Sequence, residues 1–108
     1  MAKFAVLFSF KPEVTAQMIE KPTDRAAAAR DLAKSIGGDL LAYYWMLGKY
    51  DGIAIFEMPD SKSMMAVSAA VTSTGTFSRF ETHEVVAAEE ITGILEKAKQ
   101  VRYRPPGT

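Results

Sequence analysis

Apolar residues alternate along Phe4–Phe10, with Phe4, Val6, Phe8 and Phe10 on one side and Ala5, Leu7 and Ser9 on the other. A two-residue period with aromatic and β-branched residues reads as a β-strand, and Pro12 ends it. Residues 13–21 are ambiguous: Val14, Met18 and Ile19 can form one face of a short helical turn. Pro22 suits the first turn of a longer helix, where its missing N–H costs nothing, with Thr23 or Asp24 as cap. From Asp24 to Ile36 the chain is rich in alanine, the best helix former. Ala29, Leu32, Ala33 and Ile36 make a helical stripe, and Gly37-Gly38 is a strong C-terminal stop.

Two further strands follow, Leu40–Leu47 and Ile53–Met58, joined by the glycine-bounded link Gly48–Asp51, which suits a hairpin. Strict alternation puts Leu41, Tyr43, Trp45 and Leu47 on one side of the first, and Leu40, Ala42, Tyr44 and Met46 on the other. Asp60 is the expected N-cap of a second helix that carries Met64, Val67, Ser68 and Val71 on one stripe and ends at Gly75. Phe77–Val86 reads as a fourth strand, with Phe80, Thr82 and Val86 set against Arg79, Glu81, His83 and Val85. A last helix runs from about Ala88 to Gln100, with Ile91, Ile94, Leu95 and Ala98 on its apolar face. Acidic residues near its start and lysines near its end match the helix dipole.

The order β-α-β-β-α-β plus a terminal helix is the ferredoxin-like α+β pattern: a four-stranded antiparallel sheet with two helices on one face. The expected organisation is a single domain over residues 1–101 and a fraying proline-rich tail over 102–108. Both faces of the central strands are apolar, and which one meets the helices stays open. The uncovered face has three possible fates: a second copy packed sheet to sheet, RNA bases stacked on it, or the terminal helix folded over it.

Composition narrows the partners. Thirteen basic and thirteen acidic residues give zero formal net charge, which argues against non-specific nucleic-acid or anionic-membrane binding. The segment Lys49–Phe56 resembles the aromatic strand of RNA-recognition domains, but Asp51 and Ile53 stand where stacking aromatics are needed. With no cysteine, disulfides, thiolate nucleophiles and cysteine-ligated metal sites are excluded. One histidine makes a protein-only zinc site implausible, and neither a metal nor a cofactor is expected. Nothing approaches the ~20 apolar residues of a membrane span, so the expected location is the cytoplasm.

Candidate functional residues fall in two groups. Tyr43, Trp45, Tyr50 and Asp51 can line a ligand site, although turn chemistry also accounts for Tyr50 and Asp51. Arg79, Glu81 and His83 share one strand face. Facing a cavity, His83 can act as general base with Arg79 stabilising negative charge; facing water, they are ordinary edge-strand charges.

Gly48, Tyr50 and Asp51, preceded by Tyr44-Trp45-Met46-Leu47, form a Gly-x-Tyr-Asp signature. With Lys21-Pro22 and Arg25, Gly37-Gly38, Glu57-x-Pro59-Asp60 and Thr82, the chain up to about Glu90 resembles the GYD family of small bacterial proteins, itself similar to the dimeric α/β-barrel superfamily. The resemblance implies a homodimer through the sheet faces, with a larger assembly also open, that binds or responds to a small molecule. The alternative it implies is a cofactor-independent monooxygenase or isomerase; an RNA-binding domain is the third reading. Val14 and His83 depart from the family pattern.

Overall fold

The computed structural model describes residues 1–107; Thr108, the end of the expected tail, lies outside the described residues. The elements are β1 (Ala2–Phe10), α1 (Pro12–Glu20), α2 (Arg25–Lys34), β2 (Asp39–Trp45), β3 (Gly52–Met58), α3 (Ser61–Thr72), β4 (Phe77–Val85), a 3-10 turn (Ala88–Glu90) and α4 (Ile91–Ala98). The strands form one sheet in the order β2-β3-β1-β4, every neighbouring pair antiparallel. This is the ferredoxin-like arrangement, with α2 and α3 on one face.

Local chemistry explains most boundaries. Asp24 and Asp60 cap α2 and α3 as expected, their Oδ1 atoms accepting from Ala27 N at 3.0 Å and Ser63 N at 2.8 Å. The Ser63 side chain, followed by its N–H, holds the Asp60 carboxyl below its usual range. Pro12 does more than end β1: it opens α1 in the first turn, where no N–H is needed. Pro22 therefore stands in the link between α1 and α2 rather than inside the longer helix.

The core lies on the helix-covered face. Phe4, Val6 and Phe8 of β1 pair with Phe56, Ala54 and Gly52 of β3, and all six are buried; Met64 and Val67 of α3 and Ala33 of α2 close over this sheet face. The opposite face carries Lys3, Ala5 and Leu7 of β1 beside Glu57, Ile55 and Ile53 of β3. One irregularity corrects the alternation expected for β2. A register shift between Leu40 and Ala42 sets Leu40 opposite Phe56, Tyr43 opposite Ala54 and Trp45 opposite Gly52. Leu41 is thus the extra residue of a β-bulge, and Leu40 joins Tyr43 and Trp45 on the helix side. On β4, Glu84 pairs with Phe4 and Thr82 with Val6, whereas Glu81, His83 and Val85 pair with Leu7, Ala5 and Lys3. The expected division of Phe80 and Thr82 from Arg79, Glu81, His83 and Val85 therefore holds, and only Val86 lies beyond the strand.

The link between β2 and β3 folds over the end of β1. Asp51 Oδ2 accepts the Phe10 N–H at 2.9 Å, Asp51 N donates to Phe8 O at 2.8 Å, and Ser9 Oγ donates to Lys49 O at 2.9 Å. Gly48 has φ +116°, a conformation that side chains of L-residues disfavour. Gly52 is needed for space: a Cβ there would stand 2.5 Å from Phe8 Cζ and 3.0 Å from Tyr44 O.

The terminal helix forms where expected, and of the fates open to the second sheet face it does not supply the cover. Every residue of α4 is exposed, including Ile91, Ile94 and Leu95. The radius of gyration is 17.3 Å and the long axis 59 Å, against about 13 Å for the radius of a compact chain of this size. The helix projects from the domain and leaves the second sheet face of its own chain uncovered. Among the described residues no helix is long and apolar enough to cross a membrane.

Two substitutions test the clasp over β1. Asp51→Ala should lower unfolding free energy by about 1.5–3 kcal/mol, the range for a hydrogen bond to a charged group, and Asp51→Asn by distinctly less. Gly52→Ala should destabilise by about 1–3 kcal/mol through overpacking against Phe8. Urea denaturation checks both, and an unchanged midpoint for either variant would contradict the assignment.

Candidate functional site

Between α2, α3 and the sheet lies a cleft of about 250 Å³. Its floor is aromatic because Phe8 and Phe10 of β1, Tyr43 of β2, and Phe77 and Phe80 of β4 all face the helices. Its roof is thin because α2 presents Ala28, Ala29 and Leu32, so the alanine run that favours the helix also leaves the space beneath it unfilled. Val67 and Val71 of α3 close the far side.

The aromatic rings are continuous. Phe10 stacks on Phe77 with centroids 4.8 Å apart, Phe8 meets Tyr43 at 5.5 Å, and Phe77 meets Phe80 at 5.2 Å. Trp45 stacks on Phe10 at 5.6 Å and is about half exposed, so the single tryptophan sits at the outer end of the cluster. Such geometries add to plain apolar burial. Arg25, the first residue of α2, is the one charged residue lining the cleft. A shallower hollow beside it shares Phe10, Arg25 and Thr76 and adds Lys21 of the α1–α2 link.

The expected site residues therefore divide. Tyr43 lines the cleft, and Trp45 flanks it. Asp51 uses its carboxylate on the Phe10 N–H, and Tyr50 turns to the opposite side of the sheet, where its hydroxyl donates to Glu81 Oε2 at 3.0 Å. His83 Nε2 stands 3.5 Å from the same oxygen, and the His83 and Glu81 side chains are 59% and 52% exposed. Tyr50's hydrogen bond, followed by that of His83, holds the Glu81 carboxyl below its usual range, and the same bond to Glu81 raises the Tyr50 hydroxyl. Arg79 lies on this face too, opposite Ser9. The Arg79, Glu81 and His83 group and the Tyr43 and Trp45 pair are on opposite sides of one sheet, so His83 has no access to the cleft. Among the described residues no three His, Asp or Glu side chains group as a metal site.

The sequence pointed to Tyr43 of the floor and Trp45 at the edge, but not to Phe8, Phe10, Phe77 and Phe80 as site residues. The signal was present in the face Phe4, Val6, Phe8 and Phe10, in Phe77 and Phe80, and in the small residues of α2. What a linear pattern cannot show is that a helix lined with alanine, set over aromatic strands, leaves a gap.

Burial pushes the Tyr43 hydroxyl up to about 12, with Arg25 opposing in part. Between about pH 10, where a tyrosine of the unfolded chain ionises, and pH 12, the folded chain holds the extra proton. Its contribution to stability is complete below about pH 10 and is lost as pH rises toward 12. The stability of the native chain relative to Tyr43→Phe should fall between about pH 9.5 and 11.5 in urea titrations. A constant difference would mean that the hydroxyl is not shielded.

Comparison with known proteins agrees with this architecture. A crystal structure of At3g17210 from Arabidopsis thaliana superposes with a TM-score of 0.53 over 82% of this chain and 96% of that one. At 16% identity the likeness carries the fold alone. No curated protein matches the chain. The GYD domain matches residues 4–95, which takes in β2, β3, β4 and all but the first two residues of β1, the clasp with Gly48, Tyr50 and Asp51, and the cleft, and the chain belongs to the GYD domain family.

Proposed function

We propose that this GYD protein is a homodimeric small-molecule-binding or regulatory module, with one ligand site per subunit in the aromatic cleft. The cleft itself carries the reading. A cavity of about 150 Å³ lined by apolar side chains is enough to hold benzene, and this one is about 250 Å³. Apolar walls with a few convergent polar groups are the usual make-up of a ligand site. Tyr43 and Trp45 then serve as wall and flank, while Asp51 acts at one remove by fixing Phe8 and Phe10, and Tyr50 stays apart on the opposite side of the sheet. Binding is favoured over general-base catalysis because no histidine, aspartate or glutamate lines the cleft and Tyr43 holds its proton.

The dimer is supported by the layout of the uncovered face. Ala5, Leu7, Ile53 and Ile55 form its middle, while Glu57 and Lys3 bound it at one end and Arg79, Glu81 and His83 along the β4 edge. An apolar centre with a polar margin is the anatomy of an interface, and a two-fold pairing would bring each such face onto its equal. The undocked apolar side of α4 supports a role as an arm on the neighbouring subunit. In this arrangement Tyr50, Glu81 and His83 lie at the margin of the contact.

Light scattering at micromolar concentration should give the mass of two chains, and that of one chain for Ile53→Glu; a single-chain mass for the native protein would contradict the dimer. Titration with 2-naphthylmethanol should quench Trp45 and raise the melting temperature, and Ala29→Phe should weaken this at least about tenfold by filling the cleft, in line with ~1.4 kcal/mol per decade. Undiminished binding by that variant would place the ligand elsewhere.

A further inference from the structure

The cleft is apolar inside and cationic at its mouth. Arg25 is its one charged lining residue, and Lys21 lines the adjoining hollow that shares Arg25, Phe10 and Thr76. No aspartate or glutamate lines either space. The ion pairs among the described residues are Arg30 with Asp39, His83 with Glu81 and Lys99 with Glu96, so neither mouth cation is neutralised by a described residue. Arg25 is half-buried, and an unpaired guanidinium in that setting gains most from a planar acceptor that it can grip with two N–H groups. The neighbouring Asp24 does not meet this need, because its carboxylate is turned to the Ala27 N–H as the cap of α2.

The inner end asks for a different chemistry. Phe8, Phe77 and Phe80 offer ring faces and edges, and Ala28 and Ala29 admit a flat body beneath α2. Two cations and the Tyr43 hydroxyl at one end, with rings at the other, suit a short amphipathic monoanion.

Resting on the cleft as the binding site, we infer that its ligand class is a small aromatic carboxylate, with the ring held among Phe8, Phe77 and Phe80 and the carboxylate on Arg25. The space of about 250 Å³ suits a body of one or two fused rings, by comparison with the ~150 Å³ cavity that holds benzene. Lys21 strengthens the field at the mouth without a direct contact. The single tryptophan reports occupancy because Trp45 stacks on Phe10 of the cleft floor.

The test compares 2-naphthoate with its neutral counterpart 2-naphthylmethanol by Trp45 fluorescence and calorimetry at neutral pH. The carboxylate should bind the native protein about ten- to a hundredfold more tightly, the gain expected of a charge-assisted hydrogen bond in a partly buried site. Arg25→Gln should bring 2-naphthoate down to about the level of the alcohol, a far larger loss than the alcohol itself suffers, and Arg25→Lys should restore part of the difference. Equal affinities in the native protein, or a preference that survives Arg25→Gln, would overturn the carboxylate inference and leave the cleft reading intact. Failure of both probes to bind would overturn the cleft reading and this inference with it. Should Arg25→Gln not fold, the ratio of the two affinities in the native protein decides alone.

Discussion

The hydrogen bond from the Phe10 N–H to the Asp51 carboxylate governs how the rest of this molecule is arranged. Antiparallel pairing of β1 with β3 ends at Phe8 and Gly52, so the next inward-facing donor of β1 would be buried without a ladder partner. An orphaned buried donor costs about 1–3 kcal/mol. Asp51 removes that penalty and draws the β2–β3 link across the end of β1. The same link lets Ser9 donate to Lys49 and Tyr50 reach Glu81 on β4. Three strands are thereby held at one end by a few residues of the GYD signature. Phe8 and Phe10 face the cleft from the clasped end, so a turn that looks local sets the floor of the proposed binding site.

The sheet divides the chemistry into two compartments. On the helix side, aromatic strands face an alanine-lined helix, which leaves space; on the other, small aliphatic residues make a flat surface bounded by charges. The division explains why the titratable cluster of Tyr50, Glu81 and His83 and the aromatic pair of Tyr43 and Trp45 cannot belong to one site in one chain. It also gives each group a separate place in the proposal, the first at a margin between subunits and the second at a ligand. Gly52 links the two compartments, because its missing side chain lets the Phe8 ring settle on the strand next to Tyr44.

Much of the architecture was legible because local signals agreed with the global fold. Asp24 and Asp60 announced their helices, Gly48 announced the hairpin, and the aromatic alternation of Phe4–Phe10 marked the central strand. Departures arose where one residue shifted a register. The bulge at Leu41 returned Leu40 to the side of Tyr43 and Trp45, and no propensity of leucine signals this. Pro12 and Pro22 each fit a helix start, and only the packing of Val14 and Met18 on the core decided in favour of the first. The terminal helix carried a clear apolar stripe, yet amphipathicity specifies that a face seeks cover, not which surface supplies it. Arg25 stood among the residues that carried the family resemblance, but its position at the mouth of a cleft follows from three-dimensional placement alone.

The central claim is that the aromatic cleft under α2 and α3, not the uncovered sheet face, holds the ligand. Mapping NMR chemical shifts on titration with 2-naphthoate tests it most directly. The largest shifts should fall on Phe8, Tyr43, Phe77, Phe80 and Ala29, with Leu7, Ile53 and Ile55 little moved. Shifts concentrated on Leu7, Ile53, Ile55 and His83, with the cleft residues unchanged, would contradict it.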